Sequence, residues 1–366
     1  MDSYIASCVA MKINGCIIEL IAAAKGTNTP NTIDNVAPFV TPNNFSTPNN
    51  AYFNRVDYFV QKCKDNGIVV WMWPVYLGNS AGEGWQNQYN GDTQAHRQAW
   101  GTFVGNRYKT FGNVVLVHGG DTSSSGAIND YITTLNAAWP GALQSYHAQR
   151  TVSAYAAANG QSWLNLNNIY IDDSGAGAFA AAEYARSPVR PVFMVENYYE
   201  TASGSNSLWD SFSAICGGCL GGISYGNENI WAFGGPGAIG ADPNYARHYT
   251  DTGRTKLQYV RKLIDQYAWW KLVPKRDGSL VSSSLGSGLG AVSPAMAADG
   301  TFAWIFSDSN SVTLVRSAFS GVYSNIRIQA YSPDNGTFGL VSAAAPTTGT
   351  QTISVSGRTV IVVDGG

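Results

Sequence analysis

Two short runs in this chain end apolar strands in carboxylates. Residues 114–117, Val-Val-Leu-Val, lead through His118, Gly119 and Gly120 to Asp121. Residues 192–195, Val-Phe-Met-Val, lead directly to Glu196, with Asn197, Tyr198 and Tyr199 behind it. In a parallel α/β barrel, side chains at the C-terminal strand ends face a shared pocket. Two carboxylates meeting there among aromatic rings have the composition that cleavage of a sugar acetal requires. One protonates the departing oxygen and the other attacks, or activates water, on the opposite face. Close carboxylates also titrate apart, because the first negative charge disfavours the second. Glu196 is therefore expected to be ionised and Asp121 protonated, with desolvation by the apolar approach 114–117 adding to the effect. A separation of roughly 5–5.5 Å would retain anomeric configuration, and roughly 6.5–9.5 Å would invert it.

Composition narrows the partners. A net charge of −2 over 366 residues offers no basic footprint for nucleic acid. Charged residues make up 13% of the chain, against roughly 25% in average soluble domains. Polarity must then come from Asn, Ser, Thr, Gln and Gly. Tyr (20) and Trp (11) are abundant, and flat amphipathic rings suit the apolar faces of sugars. No run approaches the ~18 apolar residues of a membrane span. The first residues lack the basic start and apolar core of a secretory signal. Five cysteines, an odd number, exclude a complete disulfide framework. Cys216 and Cys219 have CxxC spacing with no second pair and no neighbouring His, so a local disulfide or two buried thiols is expected. No metal-ligand cluster of usual spacing is present, and the chemistry needs no cofactor.

Helices and strands alternate up to about residue 272, which predicts a parallel sheet with crossover helices. Strands are expected at 16–22, 68–76, 113–118, 143–148, 168–172, 190–196 and 221–226. Helices are expected at 1–14, from Thr47-Pro48 to Asn66-Gly67, and at 93–109, 125–138, 176–186, 206–216 and 252–271. Thr47 is read as the cap of the second helix and Pro48 as its first turn. Seven strands fall one short of the eight of a closed barrel. The chain opens on a helix, so the first strand is expected upstream of Met1. The fold class is thus a (β/α)8 TIM-type barrel over 1–274. From 275 to 366, short Val-, Ile- and Thr-rich runs separated by Gly, Asp-Gly and Asn-Gly turns predict a small all-β sandwich. Its aromatics Phe302, Trp304, Phe306 and Tyr331 alternate as core residues do.

Other strand-end residues complete the expected pocket. Glu19 ends the first visible strand and can bond hydroxyls. Trp71 and Trp73 share a strand face, and Trp73 is the stacking candidate. His118 and His147 end the strands at 118 and 147. Tyr198 is expected to orient Glu196. Tyr225, Asn227 and Trp231 follow the last strand, Trp231 as a pocket wall. Asp172 is a possible third carboxylate.

Several local runs are similar to the apiosidase-like barrel glycosidases, glycoside hydrolase family 140 and its relatives. They are 2–7 (Asp-Ser-Tyr-Ile-Ala-Ser), 48–53 (Pro-Asn-Asn-Ala-Tyr-Phe), 105–108 (Gly-Asn-Arg-Tyr), 118–121 (His-Gly-Gly-Asp), 191–196 (Pro-Val-Phe-Met-Val-Glu) and 225–227 (Tyr-Gly-Asn). The resemblance covers roughly residues 1–275. It implies a barrel with Asp121 as acid/base on strand four and Glu196 as nucleophile on strand seven, counting the absent strand first. It also implies removal of a terminal furanose such as apiose from a plant pectic side chain, with a β-sandwich following. Two other readings remain open: an arabinofuranosidase or another pentose-directed hydrolase, and a non-catalytic carbohydrate-binding protein. A polymer-degrading hydrolase would work in the extracellular or periplasmic space.

Overall fold

The computed structural model describes every residue except 24, 25, 27, 81, 123–126, 159, 172–174, 201–206, 232–241, 243, 289 and 290. The chain divides into two compact units. Residues Met1–Tyr170 and Asn227–Asp251 form one, and Ile171–Gly226 and Thr252–Gly366 form the other.

The first unit runs α1 (Asp2–Ala10), β1 (Gly15–Glu19), α2 (Asn50–Asp65), β2 (Val69–Trp73), α3 (Gln86–Gly91), α4 (Gln94–Tyr108), β3 (Val114–Gly119), α5 (Ile128–Ala138), β4 (Gln144–His147), α6 (Ala154–Ala158) and β5 (Asn167–Tyr170). Strands β1 to β4 pair in chain order, all parallel. Each connection carries a helix, as parallel neighbours require.

Helix α2 illustrates how local chemistry sets these elements. Tyr52, Phe53, Phe59, Val60 and Cys63 form its buried stripe. Its cap is Asn49, not Thr47: the Asn49 side chain accepts from the Ala51 N–H at 3.1 Å. The Asn49 amide also donates to the Ala37 carbonyl at 2.9 Å, so one residue caps the helix and closes the loop before it. The far end is a Schellman turn. Gly67 (φ 68°) donates to the Lys64 carbonyl at 3.1 Å and Ile68 to that of Cys63 at 2.8 Å. Helices α4 and α5 approach through two glycines one turn apart. A Cβ on Gly101 would lie 2.0 Å from the Tyr131 carbonyl oxygen, and one on Gly105 2.8 Å from Ala138 Cβ.

The second unit begins with α7 (Ala176–Tyr184), β6 (Val192–Glu196), β7 (Tyr199–Glu200) and α8 (Ser207–Cys216). The two-residue strand β8 (Gly226–Asn227) falls where the chain passes between units, and α9 (Thr252–Ile264) follows. Beside β6 the chain returns parallel at Gly221 and Gly222. Gly221 N–H donates to Val192 O at 2.8 Å and Met194 N–H to Gly222 O at 3.0 Å.

The remaining strands are β9 (Leu272–Pro274), β10 (Val292–Ala297), β11 (Phe302–Ser307), β12 (Ser311–Val315), β13 (Asn325–Tyr331), β14 (Phe338–Pro346), β15 (Thr350–Ser354) and β16 (Thr359–Asp364). Six form an antiparallel sheet in the order β14-β13-β16-β11-β10-β9, and β12 pairs with β15. Both sheet faces are covered. Phe302, Trp304, Phe306 and Tyr331 pack with Phe212 and Ile215 of α8 and Val260 and Leu263 of α9. Ala303, Ile305, Ile361 and Val363 pack with Val312, Leu314 and Ile353 of the β12–β15 ribbon. A strand buried on both faces reads as an unbroken apolar run, which β11 and β16 do. All five cysteines are buried thiols outside any disulfide, Cys216 and Cys219 among them. Burial pushes the Cys216 thiol up to about 12 and raises that of Cys219 as well.

The α4–α5 approach gives a stability prediction. Gly101→Ala should destabilise the chain by about 3 kcal/mol, because backbone rather than a movable side-chain tip occupies the space. Denaturant unfolding measures it, and an exposed control such as Gly321→Ser, where a Cβ would meet nothing within 4 Å, should fall well short of that loss.

Candidate active site

Alternation along β1–β4 assigns two faces. Cys16, Val70, Met72, Val114, Leu116 and Tyr146 lie in the core shared with the helices. The intervening residues, Glu19, Trp73, Val117, Ser145 and His147 among them, take the other face. Register aligns Glu19 with Trp73 and Gly119 with His147. Because the strands are parallel, the C-terminal residues Glu19, Trp73 and His147 stand along one rim of this unit. Their surroundings are aromatic. Trp73 meets Tyr76 edge-on, with ring centroids 5.9 Å apart, and lies 5.6 Å from His147, which itself packs 5.6 Å from Tyr170. Glu19 Oε2 accepts the Ala23 N–H at 2.9 Å, which ties it to the loop that follows.

Asp121 follows β3 through three consecutive left-handed residues: Gly119 (φ 82°), Gly120 (φ 122°) and Asp121 (φ 50°). The glycines are sterically required. A Cβ on Gly119 would lie 2.7 Å from the Tyr146 ring, and one on Gly120 2.4 Å from the Tyr76 ring. Asp tolerates this region better than most residues. The Gly119 carbonyl accepts from Leu77 at 2.9 Å, and Gly120 donates to the His147 carbonyl at 3.1 Å, so the turn joins the β2 and β4 ends.

His118 is a correction: it is on the helix side, not the rim. The ring is fully buried, sits edge-on to Trp163 and hydrogen-bonds both Tyr131 and Gln144 Oε1, the latter at 2.8 Å. Gln144 Nε2 continues the chain to Asn136 Oδ1 at 2.7 Å. A neutral ring with its proton on Nε2 satisfies both partners. Burial lowers its pKa to about 4, although the bond to Gln144 pulls the other way.

Asn227 anchors a loop. Its Nδ2 donates to Asp251 Oδ2 at 2.9 Å and its Oδ1 accepts from Asn229 at 3.0 Å. Asp251 also meets His248 Nδ1 at 2.8 Å, and His248 Nε2 reaches Asp242 at 2.8 Å. Burial alone would lower the pKa of His248, but bonds to both carboxylates outweigh it and raise the value. Trp231, 37% exposed, begins beyond this anchor, its N–H on the Asn227 carbonyl at 3.1 Å.

In the second unit, Glu196 closes β6 and is half-buried, and its carbonyl accepts the Ile171 N–H at 3.3 Å. The Tyr199 hydroxyl, next to the expected Tyr198, donates to Glu196 Oε1 at 2.8 Å. A strand running on past Glu196 would put Tyr198 on the same face two residues later. The strand instead ends at Glu196, residues 197 and 198 belong to no element, and the next strand opens at Tyr199. Tyr225, expected at the sugar, gives its hydroxyl to Glu200. Asp172 lies outside the described residues.

Sequence reasoning missed Tyr76, Tyr170, Glu200 and the His248 loop anchor. Tyr170 had a usable signal, since it ends a strand two residues after Asn168. The others bond across turns that periodicity does not define. Among the described residues, no group of three or more His, Cys, Asp or Glu is placed to hold a metal ion.

Parallel strands ending in carboxylates and aromatic rings, followed along the chain by an antiparallel β region, are the architecture of barrel glycoside hydrolases, and solved structures share it. A glycoside hydrolase family 5 protein from Bacteroides vulgatus ATCC 8482 aligns with a TM-score of 0.84 at 17% identity, over 99% of this chain and 85% of that one. A second, described as a glycoside hydrolase, aligns with a TM-score of 0.82 at 16% identity, over 99% and 87%. At such identity the likeness is one of fold. Residues 1–271 match the apiosidase-like catalytic domain, and the chain belongs to that family of glycosyl hydrolases. No curated protein matches it.

The buried His118 predicts a pH response. An unfolded histidine titrates near ~6.5, well above the folded ring, so the unfolded state binds the proton first. Stability from this group is complete above that pH and is lost as pH falls toward about 4, by an amount on the order of 3 kcal/mol. Denaturant midpoints across this range should fall in the wild type. In His118→Gln they should start lower and vary less with pH.

Proposed function

We propose that the chain hydrolyses a terminal furanose, apiose or a closely related pentose, from a plant-type polysaccharide with retention of configuration. The observation that carries the reading is Glu196: a half-buried carboxylate at a strand end with one oxygen held by a tyrosine hydroxyl. A phenol donor on one oxygen fixes the direction in which the carboxylate can attack. Glu196 attacks the anomeric carbon while Asp121 gives its proton to the leaving oxygen, forming a glycosyl ester. Asp121 then takes a proton from water, the water oxygen bonds the anomeric carbon, and the ester releases Glu196. Exposed Trp231 and the Trp73–His147–Tyr170 cluster are the proposed sugar-facing surfaces, and Glu19, Tyr198, Tyr225 and Asn227 are proposed as further sugar-binding residues. The catalytic part is taken as 1–274 and the β-rich accessory part as 275–366, a boundary supported by the family match ending at 271. A polymeric substrate places the work outside the cytoplasm.

The test uses aryl β-D-apiofuranoside and aryl α-L-arabinofuranoside, with proton NMR of the first sugar released. Turnover of the apioside, an initial product of unchanged anomeric configuration, and a loss of roughly 10³-fold or more in kcat for Glu196→Gln are expected. Preference for the arabinoside would change the sugar but keep the chemistry. An inverted product would remove the nucleophile role from Glu196. Near-normal turnover by a folded Glu196→Gln would end the assignment.

A further inference from the structure

We propose that Glu200 is a positioning residue for the Glu196 carboxylate, acting through Tyr199. The inference rests on Glu196 being the nucleophile. The Tyr199 hydroxyl reaches Glu196 Oε1 at 2.8 Å from a strand only two residues long. Neighbours in a strand point to opposite faces, so Tyr199 on one side leaves Glu200 to grip the other. Its grip is extensive. Glu200 Oε1 accepts the Gly253 N–H at 2.8 Å, and Oε2 accepts the Arg254 N–H at 3.3 Å and the Tyr225 hydroxyl. The first N–H groups of α9 have no acceptor within their own helix, so the carboxylate fills a place that the fold leaves open.

Two glycines fit the same arrangement. A Cβ on Gly253 would stand 2.9 Å from Glu200 Oε2, and one on Gly226 2.5 Å from the Tyr199 ring. The pair Tyr225-Gly226 thus serves both ends: the tyrosine holds Glu200 and the glycine makes room for Tyr199. The start of α9 is in this way linked, through β7, to the hydroxyl that orients the nucleophile. Loosening that link should weaken a bond to the ionised carboxylate, and so affect the chemical step more than substrate affinity.

The test compares full-length Glu200→Gln, Tyr225→Phe, Tyr199→Phe, Glu196→Gln and the double variant Tyr199→Phe/Glu200→Gln on the aryl pentofuranoside that the wild type turns over. Glu200→Gln should lower kcat about 10- to 100-fold with KM within about twofold, and move the acidic limb of the kcat/KM profile to higher pH. Tyr199→Phe should do the same, and the double variant should be no worse than Tyr199→Phe alone. Wild-type kcat and profile in Glu200→Gln, or losses that add in the double variant, would overturn the positioning role. If Glu200→Gln does not fold, Tyr225→Phe carries the test, since it removes one hydroxyl and keeps the ring. A fall in kcat with the same pH movement supports the link, and a raised KM alone or no change refutes it. Turnover retained by Glu196→Gln would remove the nucleophile and this inference together. A dead Glu196→Gln beside an unaltered Glu200→Gln would remove the inference alone.

Discussion

The pleat of a parallel sheet covered by helices is the constraint on which the first unit depends. Successive residues point to opposite faces, and the helices claim one face for apolar packing. Cys16, Met72, Leu116 and Tyr146 go to that side. Whatever chemistry the strands carry must then sit on the alternate residues, and because all four run the same way it gathers at their C-terminal ends. Glu19, Trp73 and His147 follow from this rule. So does the exclusion of His118, which stands one residue out of phase and is consumed by Tyr131 and Gln144.

Buried hydrogen bonding separates polar residues that serve the fold from those left for a ligand. His118, Gln144 and Asn136 form a chain inside the helix–sheet layer, where an unmade bond would cost about 1–3 kcal/mol. Asn227, Asp251, His248 and Asp242 form another that fastens the segment after the last strand. Both include residue types that sequence alone assigns to a pocket. Their partners come from elements 13 to 26 residues away, or from a loop with no periodic pattern.

Much of the architecture was legible because it rests on periodicity. The helix stripes, the Asn66-Gly67 stop and the apolar strands before Asp121 and Glu196 are all written in short windows. The change to antiparallel strands after residue 272 is equally local. Thr47 reads as a cap because it precedes Pro48; Asn49 wins because its side chain bonds the helix and the Ala37 carbonyl at once, which needs knowledge of the preceding loop. The bond from Tyr199 to Glu196 carried no periodic signal, since β6 ends at Glu196 and pairing resumes only at Tyr199. Glu200 carried no signal, as its partners Tyr225 and Gly253 lie 25 and 53 residues on.

The Gly-Gly-Asp run reads as one chemical word, yet only its last letter carries a functional group. The first two are vacancies cut to the outlines of Tyr146 and Tyr76. The location of Asp121 is thus encoded partly by two missing methyl groups, and the rings of Tyr146 and Tyr76 dictate where its backbone can run. Altering the bulk of either ring would redraw the outline and shift the carboxylate without touching it.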